Sequence, residues 1–108
     1  MVLGAVVLLA LFWPPPALGL SATGEGERLF TNHCAGCHLH GGNIIRRGRT
    51  LKLEALTRNG LADPAAIAEV AAEGRGQMSG YGEVLGPGGP QAVATFVWEQ
   101  ALAGWPRT

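Results

Sequence analysis

Cysteine and charge are both scarce in this chain, and each shortage removes a class of protein from consideration. Only 2 of the 108 residues are cysteines, too few for a disulfide-rich scaffold or for a zinc site with four cysteine ligands. Eight basic and eight acidic side chains leave no formal net charge, so the basic surplus expected of a nucleic-acid-binding protein is missing. No segment alternates between apolar and polar residues, which argues against a sheet, and the length allows one domain.

The N-terminal segment lacks charge altogether, because no Asp, Glu, Lys or Arg precedes Glu25. Its apolar run over residues 2–13 is shorter than the roughly 20 residues that span a bilayer. An apolar run of this length, followed by small residues, is typical of a secretory signal peptide, although no Lys or Arg precedes it. We therefore expect an export signal over residues 1–22, cleaved near 19–22, a mature domain over 23–108 and no stable membrane anchor. An uncleaved tether and a wrongly assigned start remain the alternatives.

Helix signals recur through the expected mature domain and predict an all-α fold of about four short helices. The first begins near Thr23, and the last runs from about Pro90 to Ala103. Shorter helices are expected over 53–58 and 64–73, the second started by an Asp N-cap and a Pro in the first turn. Residues 76–90 are expected to form an irregular glycine-rich loop. A domain this small often depends on a bound group to complete its core.

Both cysteines belong to the strongest motif of the chain, Cys-x-x-Cys-His at residues 34–38. This motif is typical of covalent attachment of c-type haem. Cys34 and Cys37 are one helical turn apart and can meet the two vinyl groups, and His38 on the same side can reach the iron. The residues leave open a redox dithiol, half of a zinc site and a strained local disulfide. The sequence offers no βαβ context for the first and no second cysteine pair for zinc.

A haem iron bound by His38 needs a further ligand, and Met78 is the main candidate. It is the only methionine after the predicted cleavage site, and its thioether is a soft ligand that raises the haem potential when paired with histidine. A lone methionine more often fills a core. His33 and His40 compete as ligands, but both flank the attachment motif, so we expect them at the surface or at the propionate edge. Two axial ligands leave no open iron position, which favours one-electron transfer over enzyme catalysis.

Taken together, these motifs resemble the cytochrome c6 family, the small class I cytochromes c of cyanobacteria and algae. The resemblance covers nearly the whole mature chain and adds the segments 43–45, 49–51, 76–81 and 104–105 to the attachment motif. It implies a class I cytochrome c fold with one covalently bound haem c, thioether bonds at Cys34 and Cys37, and axial ligands His38 and Met78. It also implies that Arg49 lies near a haem propionate. The implied pocket positions are Asn43, Arg49, Leu51, Val70, Gln77 and Tyr81.

The same resemblance implies a monomeric electron carrier of the thylakoid lumen or periplasm. Its donor would be the cytochrome b6f complex and its acceptor photosystem I or a terminal oxidase. Val70 stands where many members have a glutamine facing the haem, a replacement shared by low-potential relatives, so we expect a low potential. Ser79 follows Met78 where many members have proline, so we expect the loop around Met78 to be less rigid. Arg47 also replaces a proline, so we expect the carbonyl that orients the His38 ring to come from a different, neighbouring residue.

Two questions remain open from the sequence. A haem sensor or weak peroxidase is possible if Met78 is displaced, and a zinc or dithiol module if no haem is attached. The basic residues of the following loop are either solvated, with one propionate partner, or a docking patch for an acidic partner. These residues are Arg46, Arg47, Arg49 and Lys52.

Overall fold

A computed structural model describes residues 17–106 of the chain, with side chains from Gly24 onward. Within that part the chain forms six α-helices, two short 3-10 helices and one two-stranded hairpin. The helices are α1 (Ala17–His33), α2 (Ala35–His38), α3 (Leu53–Arg58), α4 (Pro64–Glu73), α5 (Gly82–Leu85) and α6 (Gly89–Ala103). The 3-10 helices span Leu39–Gly41 and Arg47–Arg49, and the strands are β1 (Gly74–Arg75) and β2 (Met78–Ser79). The expected all-α class is confirmed.

The helix signals in the middle of the sequence act where they were expected. The Asp63 carboxylate accepts a hydrogen bond from the Ala65 backbone N–H at 3.3 Å, and Pro64 is the first residue of α4. Both features satisfy or remove N–H groups that the first helical turn leaves without a partner. The helix α3 ends before Asn59, whose backbone N–H caps it through the Ala55 carbonyl.

The predicted start of the first helix was wrong. In the uncleaved chain α1 begins at Ala17, not near Thr23, because the residues before Thr23 are mostly Ala and Leu and continue the helix. Most of the predicted signal peptide, residues 1–16, lies outside the described residues. Among the helices of residues 17–106, none combines the length and apolar character needed to cross a membrane.

The prediction of no sheet was also wrong, at one short place. The strands β1 and β2 pair antiparallel, with Gly74 opposite Ser79 and Arg75 opposite Met78. Two-residue strands are too short to show an alternating pattern, so the sequence carried no signal for them. The hairpin and α5 also replace much of the irregular loop expected over residues 76–90.

The core lies where the first long helix, α1, packs against the last helix, α6. Helices α1 and α6 pack so closely at Gly26 that a Cβ atom there would overlap the Ala92 carbonyl oxygen. Beside this crossing lies an aromatic cluster: the Phe30 ring centroid is 5.3 Å from that of Phe96 and 5.5 Å from that of Trp105. Aromatic contacts at these separations add to the stability gained from burial.

Trp105, near the C-terminus, contacts Leu51 and Gly41 in the middle of the chain. Its indole N–H donates to the Leu51 carbonyl at 3.1 Å, and the Leu51 backbone N–H donates to the Gly41 carbonyl at 2.7 Å. The indole ring covers Gly41, where a Cβ atom would lie 2.6 Å from it and where φ is +80°. Only glycine fits both conditions. The segment 41–51 is therefore closed at both ends and held against the C-terminal residues.

Candidate haem site

A cleft of about 280 Å³ lies between residues 33–61 on one side and residues 70–81 on the other. Its walls come from α2, the loop before α3, the inner side of α4 and the β1–β2 hairpin. Both predicted anchors, the two preferred axial ligands and all six predicted pocket positions line it. These residues are Cys34, Cys37, His38, Asn43, Arg49, Leu51, Val70, Gln77, Met78 and Tyr81. The cleft brings them together, while their individual roles stay predictions.

The attachment motif forms one tight helical turn. The backbone N–H groups of Cys37 and His38 donate to the Cys34 carbonyl at 3.2 and 3.0 Å. Cys34 packs against the core, and burial raises the pKa of its thiol to about 11, while Cys37 is exposed. Thiol–disulfide exchange needs a thiolate as nucleophile. A neutral, half-buried Cys34 thiol therefore disfavours the redox-dithiol alternative.

His38 has one ring nitrogen engaged and one free. Its Nδ1 lies 2.7 Å from the Gly42 carbonyl oxygen. Because a carbonyl only accepts, Nδ1 carries the proton, and Nε2 keeps the lone pair that a metal needs. Because Arg47 stands where many members have proline, we expected a different carbonyl to orient His38, and in the structure that carbonyl is the one of Gly42.

Met78 lines the cleft from the hairpin, where it is half-buried. The antiparallel pairing of Gly74 with Ser79 holds the segment around Met78, so the expected looseness from the missing proline is offset by backbone pairing. His33 lines the cleft as well, at the end of α1. His40 is exposed, lies outside the lining and has a left-handed backbone with φ +53°.

The loop of residues 42–50, here called the basic loop, is fixed by asparagine side chains. The Asn43 Oδ1 accepts from the backbone N–H groups of Ile45 and Arg46, both at 2.8 Å, and its Nδ2 donates to the Arg49 carbonyl at 3.0 Å. The Asn59 Nδ2 donates to the Gly48 carbonyl at 3.0 Å. These bonds place Arg49 at the cleft.

Several lining residues were not predicted. Asn59 was interpreted only as a helix stop, and nothing local indicates that its side chain reaches Gly48. Leu56 and Leu61 contribute apolar wall. Leu56 lies within the predicted helix over 53–58, whereas Leu61 follows it and carried no signal of its own. The other lining residues without a predicted pocket role are Ile45, Arg46, Thr50, Arg75, Gly76 and Ser79; His33 was predicted only as a competing ligand at the surface or the propionate edge.

The residues of the cleft fit a c-type haem. Two thiols one turn apart, an imidazole with a free nitrogen and a thioether share one largely apolar space. Within residues 17–106, no group of three or more His, Cys, Asp or Glu side chains could hold a free metal ion. The fold and the site therefore define a class: small helical proteins built around one attached haem, the class I cytochromes c.

Comparison with known proteins narrows this class. Residues 21–97 match the family model described as "Cytochrome C oxidase, cbb3-type, subunit III". A cytochrome c6-like protein of Nostoc sp. is 43% identical over 91 residues, covering 84% of this chain and 81% of the relative. The crystal structure of cytochrome c6B from Synechococcus sp. WH8102 is 58% identical, with a TM-score of 0.76, over 79% of this chain and 97% of that one. Cytochrome c6C from Synechococcus sp. PCC 7002 is 46% identical, with a TM-score of 0.70, over 73% and 96%.

The chain belongs to the cytochrome c6 family, together with its c6-like variants. Members of this family carry one covalently bound c-type haem.

Proposed function

We propose that the protein is a one-electron carrier whose haem c is bound through Cys34 and Cys37 and ligated by His38 and Met78. The observation that carries this proposal is the cleft in which both thiols, the free His38 nitrogen and the only methionine of the expected mature chain meet. When bound, haem c supplies an iron that gains and loses one electron.

The residues of the chain orient and shield that group. The Gly42 carbonyl holds the His38 ring in one tautomer. In that tautomer Nε2 would stay available to the haem iron in both the oxidised and the reduced state. Leu51, Leu56 and Val70 line the cleft with apolar surface and exclude water from it. Arg49 supplies a positive charge at the cleft for a propionate, held there by the Asn43 contact to its carbonyl.

Val70 points to a low midpoint potential. It is half-buried in the cleft wall and brings no hydrogen-bond donor there. Hydrogen bonding and polarity around a haem are among the factors that set its potential. A low potential favours acceptors other than photosystem I, and it is the property that most narrows the choice of partner.

The carrier would work after export, in the thylakoid lumen or periplasm, as a monomer. Its donor would be the cytochrome b6f complex, and its acceptor a terminal oxidase or photosystem I. Protein purified from the exported fraction tests the first part: N-terminal sequencing should find cleavage near residues 19–22, and mass analysis should find one attached haem. Loss of haem on denaturation in acid acetone would contradict covalent attachment.

The ligand set is tested by the weak long-wavelength absorption band of a methionine–iron bond in the oxidised protein. Met78→Ala should abolish this band, while His33→Ala should keep it, because we assign His33 to the cleft wall only. If the unaltered protein lacks this band and its low-spin haem spectrum changes in His33→Ala but not in Met78→Ala, His33 is the ligand instead. Turnover of hydrogen peroxide by the unaltered protein would favour the alternative of a sensor or weak peroxidase with a displaceable Met78.

A further inference from the structure

The wall of the cleft formed by residues 70–81, here called the hairpin wall, carries a charge that the proposed function does not use. Among the described residues that line this wall, Arg75 alone is charged. The other arginines at the cleft, Arg46 and Arg49, belong to the opposite wall. Arg75 is neither a predicted ligand nor the predicted partner of a propionate, so its place in the cleft needs its own explanation.

The register of the hairpin sets Arg75 directly opposite Met78. Residues that face each other across an antiparallel pair point their side chains to the same face, with Cβ atoms about 4.5–5.5 Å apart. Both side chains line the cleft, which agrees with a shared face. The Arg75 side chain therefore starts beside the thioether that is the candidate iron ligand.

The backbone around this pair is held on both sides. At Gly74, where φ is +85°, a Cβ atom would lie 2.5 Å from the Met78 carbonyl oxygen, so the two strands approach as only glycine allows. After the hairpin, the Tyr81 backbone N–H donates to the Ala71 carbonyl at 2.8 Å and ties the chain to α4. Arg75 and Met78 are thus kept as neighbours by backbone contacts, which a change of the Arg75 side chain leaves in place.

No carboxylate neutralises the Arg75 guanidinium within the described residues. The ion pair that forms among them joins Arg28 to Glu25. Glu73, the acidic residue nearest to Arg75 in sequence, is exposed and takes no part in an ion pair there. The guanidinium group of arginine also stays protonated in proteins. The hairpin wall therefore holds a permanent positive charge beside Met78.

We propose that Arg75 is a potential-tuning residue, whose charge beside Met78 favours the reduced form of the haem. The proposal rests on the carrier function proposed above and adds a further residue to it. An oxidised haem iron carries one more positive charge than a reduced one, so a fixed cation nearby destabilises the oxidised form. Arg75 then acts against Val70, for which we expect a low potential, and the two residues of one wall set the potential together.

The first measurement is the midpoint potential of the haem-loaded protein at low salt. Arg75→Gln should lower the equilibrium constant of reduction about threefold to tenfold, which corresponds to about 30–60 mV at 59 mV for each tenfold change. Arg75→Lys keeps the charge and should recover most of the original potential. Arg58→Gln is the matched control, because it removes the same charge from α3, outside the lining of the cleft, and should change the constant less than twofold.

The second measurement tests whether the charge acts on the methionine side of the haem. Azide, an anion, and imidazole in its neutral form are both able to replace Met78 on the oxidised iron. Arg75→Gln should raise the dissociation constant of azide about threefold to fivefold, because the bound anion loses a nearby cation, and should leave that of imidazole within about twofold. A merely structural role would move both constants together, since a loosened hairpin releases Met78 more easily.

An unchanged potential in Arg75→Gln would overturn the proposal, and so would a failure of Arg75→Lys to recover the potential. Equal changes in azide and imidazole binding would overturn it as well, because they would assign Arg75 to the stability of the hairpin. The ligand set is read separately, from the methionine–iron band of the unaltered protein. Absence of that band would contradict ligation by Met78, whereas the effect of Arg75 on the potential is measured in either case.

Discussion

Replacing Trp105 with phenylalanine tests the closure of the cleft-lining loop by the C-terminus. The substitution keeps a six-membered ring beside Phe30 and Phe96, whose centroids lie 5.5 and 6.1 Å from that of Trp105. It removes the indole N–H, which donates to the part-buried Leu51 carbonyl at 3.1 Å. The carbonyl then loses its donor in a place where water reaches it poorly.

The cost follows from these contacts. A buried polar group left without its partner costs about 1–3 kcal/mol. The smaller ring adds about 0.5–1 kcal/mol of lost apolar burial. We therefore expect a loss of about 1.5–4 kcal/mol in the free energy of unfolding. For a domain of this size each kcal/mol lowers the Tm by roughly 4–8 °C.

The assay is unfolding of the oxidised protein in guanidinium chloride, followed by haem absorption. Trp98→Phe is the matched control, since Trp98 packs against the same core and its indole makes no hydrogen bond within the described residues. Its loss should reflect the smaller ring alone. If both variants lose the same stability within about 0.5 kcal/mol, the Trp105–Leu51 hydrogen bond contributes nothing, and the closure of the loop needs another explanation.

Three further predictions concern the cleft and its frame. Val70→Gln should raise the midpoint potential by about 20–65 mV, because an amide N–H directed at the haem stabilises the reduced state by about 0.5–1.5 kcal/mol. The conversion uses 59 mV for a tenfold change in a one-electron equilibrium. A redox titration with Val70→Leu as control checks the prediction, and an unchanged potential in Val70→Gln would refute it. Gly26→Ala should cost about 2–4 kcal/mol of stability, since the new methyl group would overlap the Ala92 carbonyl, whereas Gly24→Ala, with open space around it, should not destabilise. Asn43→Ala should cost about 1–3 kcal/mol by removing three hydrogen bonds, and equal stability of the variant in chemical denaturation would show that the loop holds itself.

The features that the sequence could predict are those whose signal lies within a few neighbouring residues. The attachment motif lies within five residues, and the N-cap of α4 depends on Asp63 and Pro64 alone. Met78 could be selected because no other methionine remains after the expected cleavage. Each of these signals is complete within a few neighbouring positions, so no knowledge of the fold was needed to interpret it.

What the sequence could not predict depends on contacts between distant segments. The Asn59 side chain reaches Gly48 across 11 positions, and the Trp105 side chain reaches Leu51 across 54. The β1–β2 pairing was missed because its strands have two residues each. The sequence indicated that a different carbonyl orients His38 but did not identify it as that of Gly42, because the path of the loop depends on the hydrogen bonds of Asn43.

The Trp105 contact also orders events in time during synthesis. Leu51 and Trp105 are 54 positions apart, so the base of the cleft-lining loop receives its last hydrogen bond only when the C-terminal residues arrive. The two cysteines, near the start of the chain, emerge long before that. If haem is attached during the proposed export, the loop around it would then still lack this hydrogen bond, which would form only after Trp105 has followed.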